Sequence, residues 1–384
     1  MTTLLLVVIY IAFISLGLPD SMLGAAWPVM QSELGLPLAG AGLVSMIVSG
    51  GTIVSSLFSG KLIRRLGTGK LTLFSVLMTA LALLGYSFSP NYLWLCLIAV
   101  PLGLGAGAVD AALNDFVARN FAARHMNWLH SFWGIGATTG PLIMAFMLNQ
   151  TGRWQMGYRT VAIVQFTLVA ILTISLPLWK RFPNPPTPQP TTSGGKKPRI
   201  RGMTPNLVAF FAYCAVEAST GLWAASFLVD QRGLSRVLAA GGASAYYLGI
   251  TVGRFLNGFF SSHFDAKNLV RGGQAMILLG IGMLFLPFPI LSLAGLMIVG
   301  LGCAPIYPTL LHETPRRFGA ENSASLMGIQ MAIAYCGLTL MPPLLGLIVD
   351  RFGLQLYPLG LLLLALMLTF GTERLNKVLA QQNP

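Results

Sequence analysis

Apolar runs long enough to cross a lipid bilayer recur along almost the whole chain. Of its 384 residues, 55% are hydrophobic and only 9% are charged, whereas soluble domains carry about 25% charged residues. A surface that faces water cannot be covered with so few charges, so we predict an integral membrane protein. A crossing takes about 20 apolar residues. The twelve runs that suit this purpose are 4–29, 38–59, 70–88, 92–116, 127–149, 158–180, 205–229, 239–261, 268–286, 289–311, 324–349 and 354–372.

The net charge of +13 is distributed unevenly among the loops. If the N-terminus lies inside, most of the 24 basic residues fall in the even-numbered junctions or after the last run. An excess of this kind marks cytoplasmic loops, so both termini are predicted to be cytoplasmic, and the membrane to be an inner or plasma membrane. Basic loops beside anionic lipid account for the charge, and no nucleic-acid partner is expected.

A polar segment in the middle of the chain separates six runs from six. Residues 181–203 are rich in Pro, Ser, Thr and Gly and end in a basic cluster, which is a composition typical of flexible linkers. We therefore predict an N-terminal unit over residues 1–180, a cytoplasmic linker over 181–203 and a C-terminal unit over 204–384.

The two units resemble each other at an offset of 197 or 198 residues. At this offset Asp20 maps onto Glu217, and several glycines map onto glycines. A shared offset over several runs indicates a duplicated six-helix unit, and transporters that rock about a central site are built in this way. The other matched positions are Gly60 and Gly258, Gly103 and Gly300, Gly105 and Gly302, Asp110 and Tyr307, Trp133 and Gln330, and Gly140 and Gly337.

Three carboxylates, Asp20, Asp110 and Glu217, lie inside apolar runs. An ionised group at mid-membrane costs from a few kcal/mol to about 10 kcal/mol or more, so such acids indicate ion coupling or substrate binding. We predict proton coupling for all three. Two alternatives remain open: Asp20 can cap a helix segment that resumes at Ser21, and Glu217 can bind a sugar hydroxyl or pair with a cation.

The loop after the second run carries Gly60, Arg64, Arg65 and Gly67. It resembles the short loop between helices two and three of the major facilitator superfamily. The resemblance implies an all-α transporter of twelve transmembrane helices in two pseudo-symmetric six-helix bundles, working by alternating access. Gly60 is expected to allow close helix contact and Gly67 a tight turn, while the arginines hold helix ends. The family usually has an acid where this chain has Arg64, and a loop that serves topology alone is the alternative.

Four further segments resemble a branch of that superfamily, the proton-coupled sugar permeases, which include the fucose permease and bacterial glucose permeases. They are Gly103–Asn114, Tyr213–Glu217, Gly253–Gly258 and Pro305–Thr309. The resemblance implies that Asp20 and Asp110 couple protons to the uptake of a sugar or similar small polar solute. No cofactor is expected, and the coupling ion is the proton, with sodium as the alternative.

Side chains suited to a sugar also lie in the runs, since sugar sites combine aromatic faces with amide and hydroxyl groups. Aromatic residues in membrane helices also serve as packing groups or interface anchors. Arg254 lies within a run and should meet a carboxylate, a helix end or lipid headgroups. We group it with the gating loop and Gly258, and of these options we expect it to snorkel to the interface. The substrate-binding candidates are Asn114, His130, Trp133, Tyr213, Trp223, Tyr307, Gln330 and Tyr335.

Functions other than sugar uptake also have to be considered from the sequence. The pattern Gly136-x-x-x-Gly140-Pro141 resembles a signature of drug–proton antiporters, so proton-driven efflux of a drug or amphipathic metabolite is the alternative function. A small-residue helix contact explains the same pattern. No nucleophile–base pair, metal cluster or phosphate loop stands out, so neither an enzyme nor a metal site is expected. A receptor that does not transport is a further option. The expected partners are a small-molecule substrate and the lipid bilayer, and the protein is expected to be a monomer.

Overall fold

The computed structural model describes residues 2–121, 123–180, 182, 201–260, 264–318 and 323–381. Within these ranges the regular structure is helical, and one 3₁₀ helix, Leu354–Leu356, accompanies the α-helices. Most of the predicted linker, 183–200, lies outside the described residues. The α-helices are α1 (Thr2–Asp20), α2 (Met22–Leu34), α3 (Gly40–Leu66), α4 (Thr68–Ser87), α5 (Tyr92–Asn120), α6 (Ala123–Thr151), α7 (Trp154–Trp179), α8 (Met203–Arg232), α9 (Arg236–Phe260), α10 (Ala266–Leu284), α11 (Pro289–Cys303), α12 (Ile306–His312), α13 (Thr314–Phe318), α14 (Ser323–Phe352) and α15 (Tyr357–Ala380).

Every predicted run lies on one or two of these helices. Ten spans among the described residues are long and apolar enough to cross a membrane. The remaining two runs form α9 and α10, which carry the arginines Arg254 and Arg271. The first run is broken at Ser21, between α1 and α2, and the tenth run is broken between α11 and α12.

The helices pack as two bundles with the same internal plan. In the first bundle α1 packs on α6, α3 on α5, and α4 on both α5 and α7. In the second bundle α8 packs on α14, α9 on α11, and α10 on both α11 and α15. Each contact in the first bundle has its counterpart in the second, as expected of a duplicated six-helix unit.

Glycines at matched positions bring the helices of each bundle into backbone contact. A side chain at Gly103 of α5 would collide with the carbonyl of Val48 on α3, and one at Gly300 of α11 would collide with the carbonyl of Tyr246 on α9. Small residues allow such close approach in membrane proteins, where the hydrophobic effect does not drive helices together. The offset of 197 or 198 residues therefore holds for this pair of contacts.

The same comparison corrects the register of the fifth and eleventh runs. Gly136 of α6 faces the carbonyl of Ile14, and Gly337 of α14 faces the carbonyl of Phe211. Because Ile14 and Phe211 are 197 residues apart, Gly136 is the counterpart of Gly337, at an offset of 201. The predicted matches of Gly140 with Gly337 and of Trp133 with Gln330 are therefore wrong by one helical turn.

Short polar contacts join the two bundles. Where α6 meets α9, the hydroxyls of Thr138 and Thr251 lie 3.1 Å apart, and Ser244 donates to the carbonyl of Thr138 at 2.6 Å. Beside α3 and α14, the backbone N–H of Leu38 donates to the carboxylate of Asp350 at 2.8 Å. Thr138 lies in the middle of α6, so its contact with Thr251 is near mid-depth, and Ser244 approaches it from the part of α9 nearer to Arg236. Asp350 lies at the far end of α14, so the Leu38 contact is at the face opposite to Thr2 and Ala380.

The predicted gating loop has one of its two expected glycine features. Gly67 ends α3 with a φ of 79°, a backbone conformation that favours glycine, so the tight turn is confirmed. Among the described residues, a side chain at Gly60 would meet only the guanidinium of Arg64, at 3.7 Å, so no close contact of Gly60 with another described helix is seen. Arg64 and Arg65 lie in the last turn of α3, where cations are favourable. The surroundings of Gly258, on α9, lie outside what the structure describes.

Alanine substitutions at the glycine contacts should separate close packing from helix propensity. We expect Gly103→Ala and Gly300→Ala to lower the unfolding midpoint of the purified protein in detergent, because overpacking costs about 1–3 kcal/mol. Gly50→Ala and Gly272→Ala are the controls, since a side chain at either position meets nothing within 4 Å. They should leave the midpoint unchanged or raise it. Equal effects at all four positions would contradict this account.

Candidate functional site

Asp20 lies at the break in the first span, deep in the fold. Its carboxylate oxygen Oδ2 accepts a hydrogen bond of 2.8 Å from the indole N–H of Trp133 on α6. The side chain is nevertheless exposed, so the solvent that it meets occupies the space between the bundles. Ser21, the residue before α2, makes no side-chain cap. The Trp133 contact thus gives Asp20 a role other than the helix cap considered above.

Arg254 does not snorkel to a membrane interface, as the sequence led us to expect. Its guanidinium carbon lies 5.1 Å from the centre of the Trp133 ring, and Nη2 lies 3.3 Å from Oε1 of Glu217 on α8. Both charged side chains are about one fifth exposed, at 18% and 20%. The arginine of α9 therefore joins the carboxylate of its own bundle to an aromatic ring of the other bundle.

Asp110 and Asn114 share one face of α5, as their spacing predicts. The amide Nδ2 of Asn114 donates to Oδ1 of Asp110 at 2.9 Å and to the Asp110 carbonyl at 3.0 Å. The carboxylate lies close enough to Asp20 and to Tyr335 of α14 for their electrostatic interactions to matter. Asp110 consequently belongs to the same central cluster as Asp20.

Aromatic side chains of the second bundle line the cluster. The rings of Tyr213 on α8 and Tyr307 on α12 lie 5.8 Å apart and are tilted by 35°. The Tyr213 side chain is fully buried, and its hydroxyl interacts with the carboxylate of Glu217, one turn along α8. Tyr307 is half-buried, so its ring is the one of the two that can meet a ligand.

His130 also belongs to the cluster. It lies on α6, one helical turn closer than Trp133 to the start of this helix at Ala123. Its ring packs edge-on against Phe13, with 5.9 Å between centroids, and its side chain is exposed. His130 also lies close enough to Arg254 for their charges to interact. The exposed surface of the cluster thus continues toward the face of the molecule where α1 begins and α15 ends.

Two substrate-binding candidates, Trp223 and Gln330, lie apart from this cluster. Trp223 is fully buried and donates its indole N–H to the carbonyl of Pro342 at 2.9 Å. Gln330 is fully buried and bonds to Thr314 at 3.0 Å and to Asn206 at 3.1 Å. Both side chains already have partners in the packing of the second bundle, so the structure brings neither of them to the space between the bundles.

Sequence reasoning missed Tyr247 of α9. This side chain is close enough to Asp20 and Glu217 to interact with both carboxylates. It lies in a predicted run beside Tyr246, but neither an acid nor a match in the first unit pointed to it. The inter-bundle hydroxyls of Thr138, Ser244 and Thr251 were missed for a similar reason, since small polar residues are frequent in membrane helices.

The cluster combines two kinds of carboxylate. The polar contacts found for Asp20 and Asp110 come from neutral donors, whereas Glu217 lies beside a guanidinium. A nearby cation favours the charged form of a carboxylate, whereas desolvation favours the neutral form. The arrangement can therefore hold one paired charge while it exchanges protons at two other acids. Among the described residues, no group of acids, histidines and cysteines is arranged to bind a metal ion.

The pairing of Arg254 with Glu217 can be tested by a double-mutant cycle. Glu217→Gln and Arg254→Gln each leave one charge without its partner, and each should destabilise the protein by about 2 kcal/mol. The double variant should recover most of the lost stability, because it removes both charges. The midpoint of thermal unfolding in detergent measures the effect. The exposed pair of Arg271 and Glu373 is the control.

Neutralising that control pair should change the midpoint little, because exposed ion pairs are screened by solvent. If the effects of Glu217→Gln and Arg254→Gln simply add in the double variant, the two groups do not stabilise each other and the proposed pairing is wrong.

Relatives with known roles match most of this chain. A family model described as Major Facilitator Superfamily matches residues 9–329 and 206–380. The glucose/mannose transporter GlcP of Bacillus subtilis (strain 168) is 28% identical over an alignment of 269 positions, and the match covers 66% of this chain and 66% of that protein. The hexuronate transporter of the same organism is 25% identical over an alignment of 376 positions, and the match covers 88% of this chain and 85% of that protein.

Solved structures have the same fold at low sequence identity. A bacterial homologue of the human lysosomal transporter Spinster, in an inward-facing and unoccupied conformation, has a TM-score of 0.76 at 13% identity and covers 98% of this chain and 97% of its own. A point mutant of the nucleoside transporter NupG has a TM-score of 0.75 at 14% identity, covering 97% and 98%. The predicted fold of two six-helix bundles is confirmed. The chain belongs to the major facilitator superfamily, and it is a membrane transporter and not an enzyme.

Proposed function

We propose that this transporter couples the inward movement of protons to the uptake of a sugar or similar small polar solute. The observation that carries the proposal is the position of Asp20 and Asp110. These acids stand on the first and fourth spans, between the bundles, with neutral hydrogen-bond donors and access to solvent. We further propose an inner or plasma membrane location with both termini in the cytoplasm, and function as a monomer.

Protonation makes it possible to move these acids through a conformational cycle. An ionised carboxylate is costly wherever the closing bundles exclude water, whereas a protonated one is neutral. One proton that crosses 100 mV releases about 2.3 kcal/mol. At about 1.4 kcal/mol per tenfold change, this energy supports roughly fortyfold accumulation of a neutral solute.

On this topology the conformation described here faces the cytoplasm. The contacts of Leu38 with Asp350 and of Ser244 with Thr138 lie toward the opposite face, which would be the periplasmic or outer side. His130, on the side of the chain ends, is exposed. An inward-facing state is the one in which a symporter releases its proton and its substrate into the cell.

A sugar is supported by the lining of the cluster and by the relatives. The half-buried amide of Asn114 suits the oxygen atoms of a sugar, and the half-buried ring of Tyr307 suits its apolar face. Relatives named as glucose/mannose, hexuronate and D-xylose transporters lie in the same superfamily. We propose a monosaccharide or sugar acid as the substrate.

The pattern that suggested drug efflux has a packing explanation. Gly136 faces the carbonyl of Ile14, and Gly140 faces the carbonyl of Leu18, so both glycines seat α6 against α1. The pattern is then a requirement of close helix contact, and it does not favour efflux over uptake. The direction of flux under an imposed proton gradient distinguishes the two functions.

Neutral variants of the two acids should uncouple transport from the proton. In proteoliposomes with an imposed proton gradient, we expect Asp20→Asn and Asp110→Asn to reduce sugar accumulation to about the equilibrium level, because neither amide exchanges a proton. Asp115→Asn is the matched control. Asp115 is on the same helix as Asp110 but pairs with Arg119 at the end of α5.

Asp115→Asn should accumulate sugar as the wild type does. If both acid variants still concentrate sugar against its gradient, Asp20 and Asp110 are not the coupling groups. Replacing the proton gradient with a sodium gradient in the wild type tests the alternative coupling ion.

A thermal-shift screen should identify the class of substrate. D-glucose, D-mannose, D-xylose and D-glucuronate are added separately to the purified protein, and a substrate should raise the unfolding midpoint as its concentration passes the dissociation constant. A concentration about 100 times that constant stabilises the folded state by about 2.7 kcal/mol. Sucrose at the same osmolality is the control. If no monosaccharide or sugar acid shifts the midpoint while amphipathic cations do, the efflux alternative is favoured.

A further inference from the structure

Trp133 uses two parts of its side chain in two different contacts. The N–H at the edge of the indole donates to Asp20 of the first bundle. The face of the same ring carries the guanidinium of Arg254, which belongs to the second bundle and lies beside Glu217. A single rigid ring therefore stands between the acid of the first span and the ion pair of the second bundle.

We propose that Trp133 is a positioning residue that transmits the protonation state of Asp20 to Arg254, and through Arg254 to the second bundle. The inference rests on the proposed proton coupling and extends it with a physical link between the bundles. It also gives Trp133 a role in addition to the sugar contact expected from the sequence, because one face of its ring already carries the guanidinium.

The link follows from the strength of the two contacts. A hydrogen bond from the indole to an ionised carboxylate is roughly twice as strong as one to a neutral acceptor. Ionised Asp20 thus fixes the ring in the orientation that receives Arg254, and a cation over the face of a tryptophan is attracted by the ring. When Asp20 takes up a proton, the hydrogen bond weakens and the ring is less firmly held beneath the guanidinium.

The contacts seen in this conformation determine whether protonation of Asp20 favours or disfavours it. Thr251 and Arg254 lie one helical turn apart on α9, so the ring contact continues the inter-bundle seam at Thr138. Ionised Asp20 supports the seam and therefore this conformation. Acidification should favour the state in which the seam is open. By linkage, the inward-facing state then binds the proton of Asp20 more weakly, and this favours proton release on the cytoplasmic side.

Other titratable groups face the same charges and can add to a response to pH. A protonated His130 would repel Arg254, and an ionised Asp110 would repel an ionised Asp20. These effects do not pass through the indole N–H, so a variant that removes only this N–H isolates the link. The groups that face Asp20 or Arg254 from the neighbouring helices are Asp110, His130, Tyr213, Cys214, Glu217, Tyr247, Cys303 and Tyr335.

The test measures the two conformations without any substrate. Spin labels at Lys61→Cys on α3 and Ile329→Cys on α14, in a background that carries Cys96→Ser and Cys336→Ser, report the separation between the C-terminal part of α3 and the N-terminal part of α14. Both label positions are exposed. We expect the ratio of the two distance populations in the full-length protein to change about fivefold between mildly alkaline and mildly acidic pH. This change corresponds to about 1 kcal/mol at 1.4 kcal/mol per tenfold.

Trp133→Phe keeps an aromatic face for Arg254 but removes the N–H, so it should abolish most of the response to pH. Trp223→Phe is the matched control. It also removes one indole hydrogen bond, but that bond goes to Pro342, outside the cluster, and the response should remain. Asp20→Asn, which keeps an acceptor oxygen but cannot change its charge, should give populations that do not respond to pH through this link.

Two results would overturn the proposal. Either the ratio of the two distance populations in the wild type does not change with pH, or it changes as much in Trp133→Phe as in the Trp223→Phe control. Failure of the proposed function looks different. In that case the populations respond to pH as predicted, but proteoliposomes accumulate none of the sugars. Conversely, full proton-driven accumulation of D-glucose by Trp133→Phe would leave the function standing and exclude the link.

Discussion

Arg254 is the charge around which the centre of this molecule is organised. A guanidinium cannot remain unpaired at the depth of a membrane, and moving it to the interface is the usual solution. Here it lies between a carboxylate of its own bundle and an aromatic ring of the other bundle. The charge is thereby balanced within the protein, and the balancing partners come from α6 and α8. The contact between the bundles and the electrostatics of the cluster thus depend on the same side chain.

The glycine contacts determine how closely the charged groups can approach. Gly17 of α1 faces the carbonyl of Trp133, and Gly134 of α6 faces Thr251 of α9. Larger side chains at these positions would push α1, α6 and α9 apart at the level where Asp20, Trp133 and Arg254 meet. Close glycine contacts also join the bundles, because Gly24 of α2 faces the carbonyl of Gly221 on α8 and Gly42 of α3 faces the backbone of Pro343 on α14. Small residues on the contacting helices therefore let the bundles pack closely in this conformation.

Much of this arrangement could be predicted from the sequence, because membrane spans and duplicated units leave long, regular patterns. Asp20, Asp110 and Glu217 attract attention because charge is rare in such runs. The position of Arg254 could not be predicted, since an apolar run does not indicate which face of its helix meets the other bundle. Gln330 was misplaced because the repeat shifts by one turn in the fifth and eleventh spans, and an offset taken from other helices carries no information about that shift.

The three acids of the cluster divide into two groups by their partners, and this division sharpens the proposed mechanism. Glu217 lies beside Arg254, so protonating it would leave a guanidinium without its partner, and the net cost of that state is high. Asp20 and Asp110 have neutral partners. For these two acids the ionised form is therefore higher in free energy whenever water is excluded from the space around them. Proton exchange at Asp20 and Asp110, opposite a pair that stays ionised, therefore requires less reorganisation than exchange at all three acids. On the proposed function Glu217 serves as the fixed counter-charge of Arg254 and not as a carrier of the transported proton.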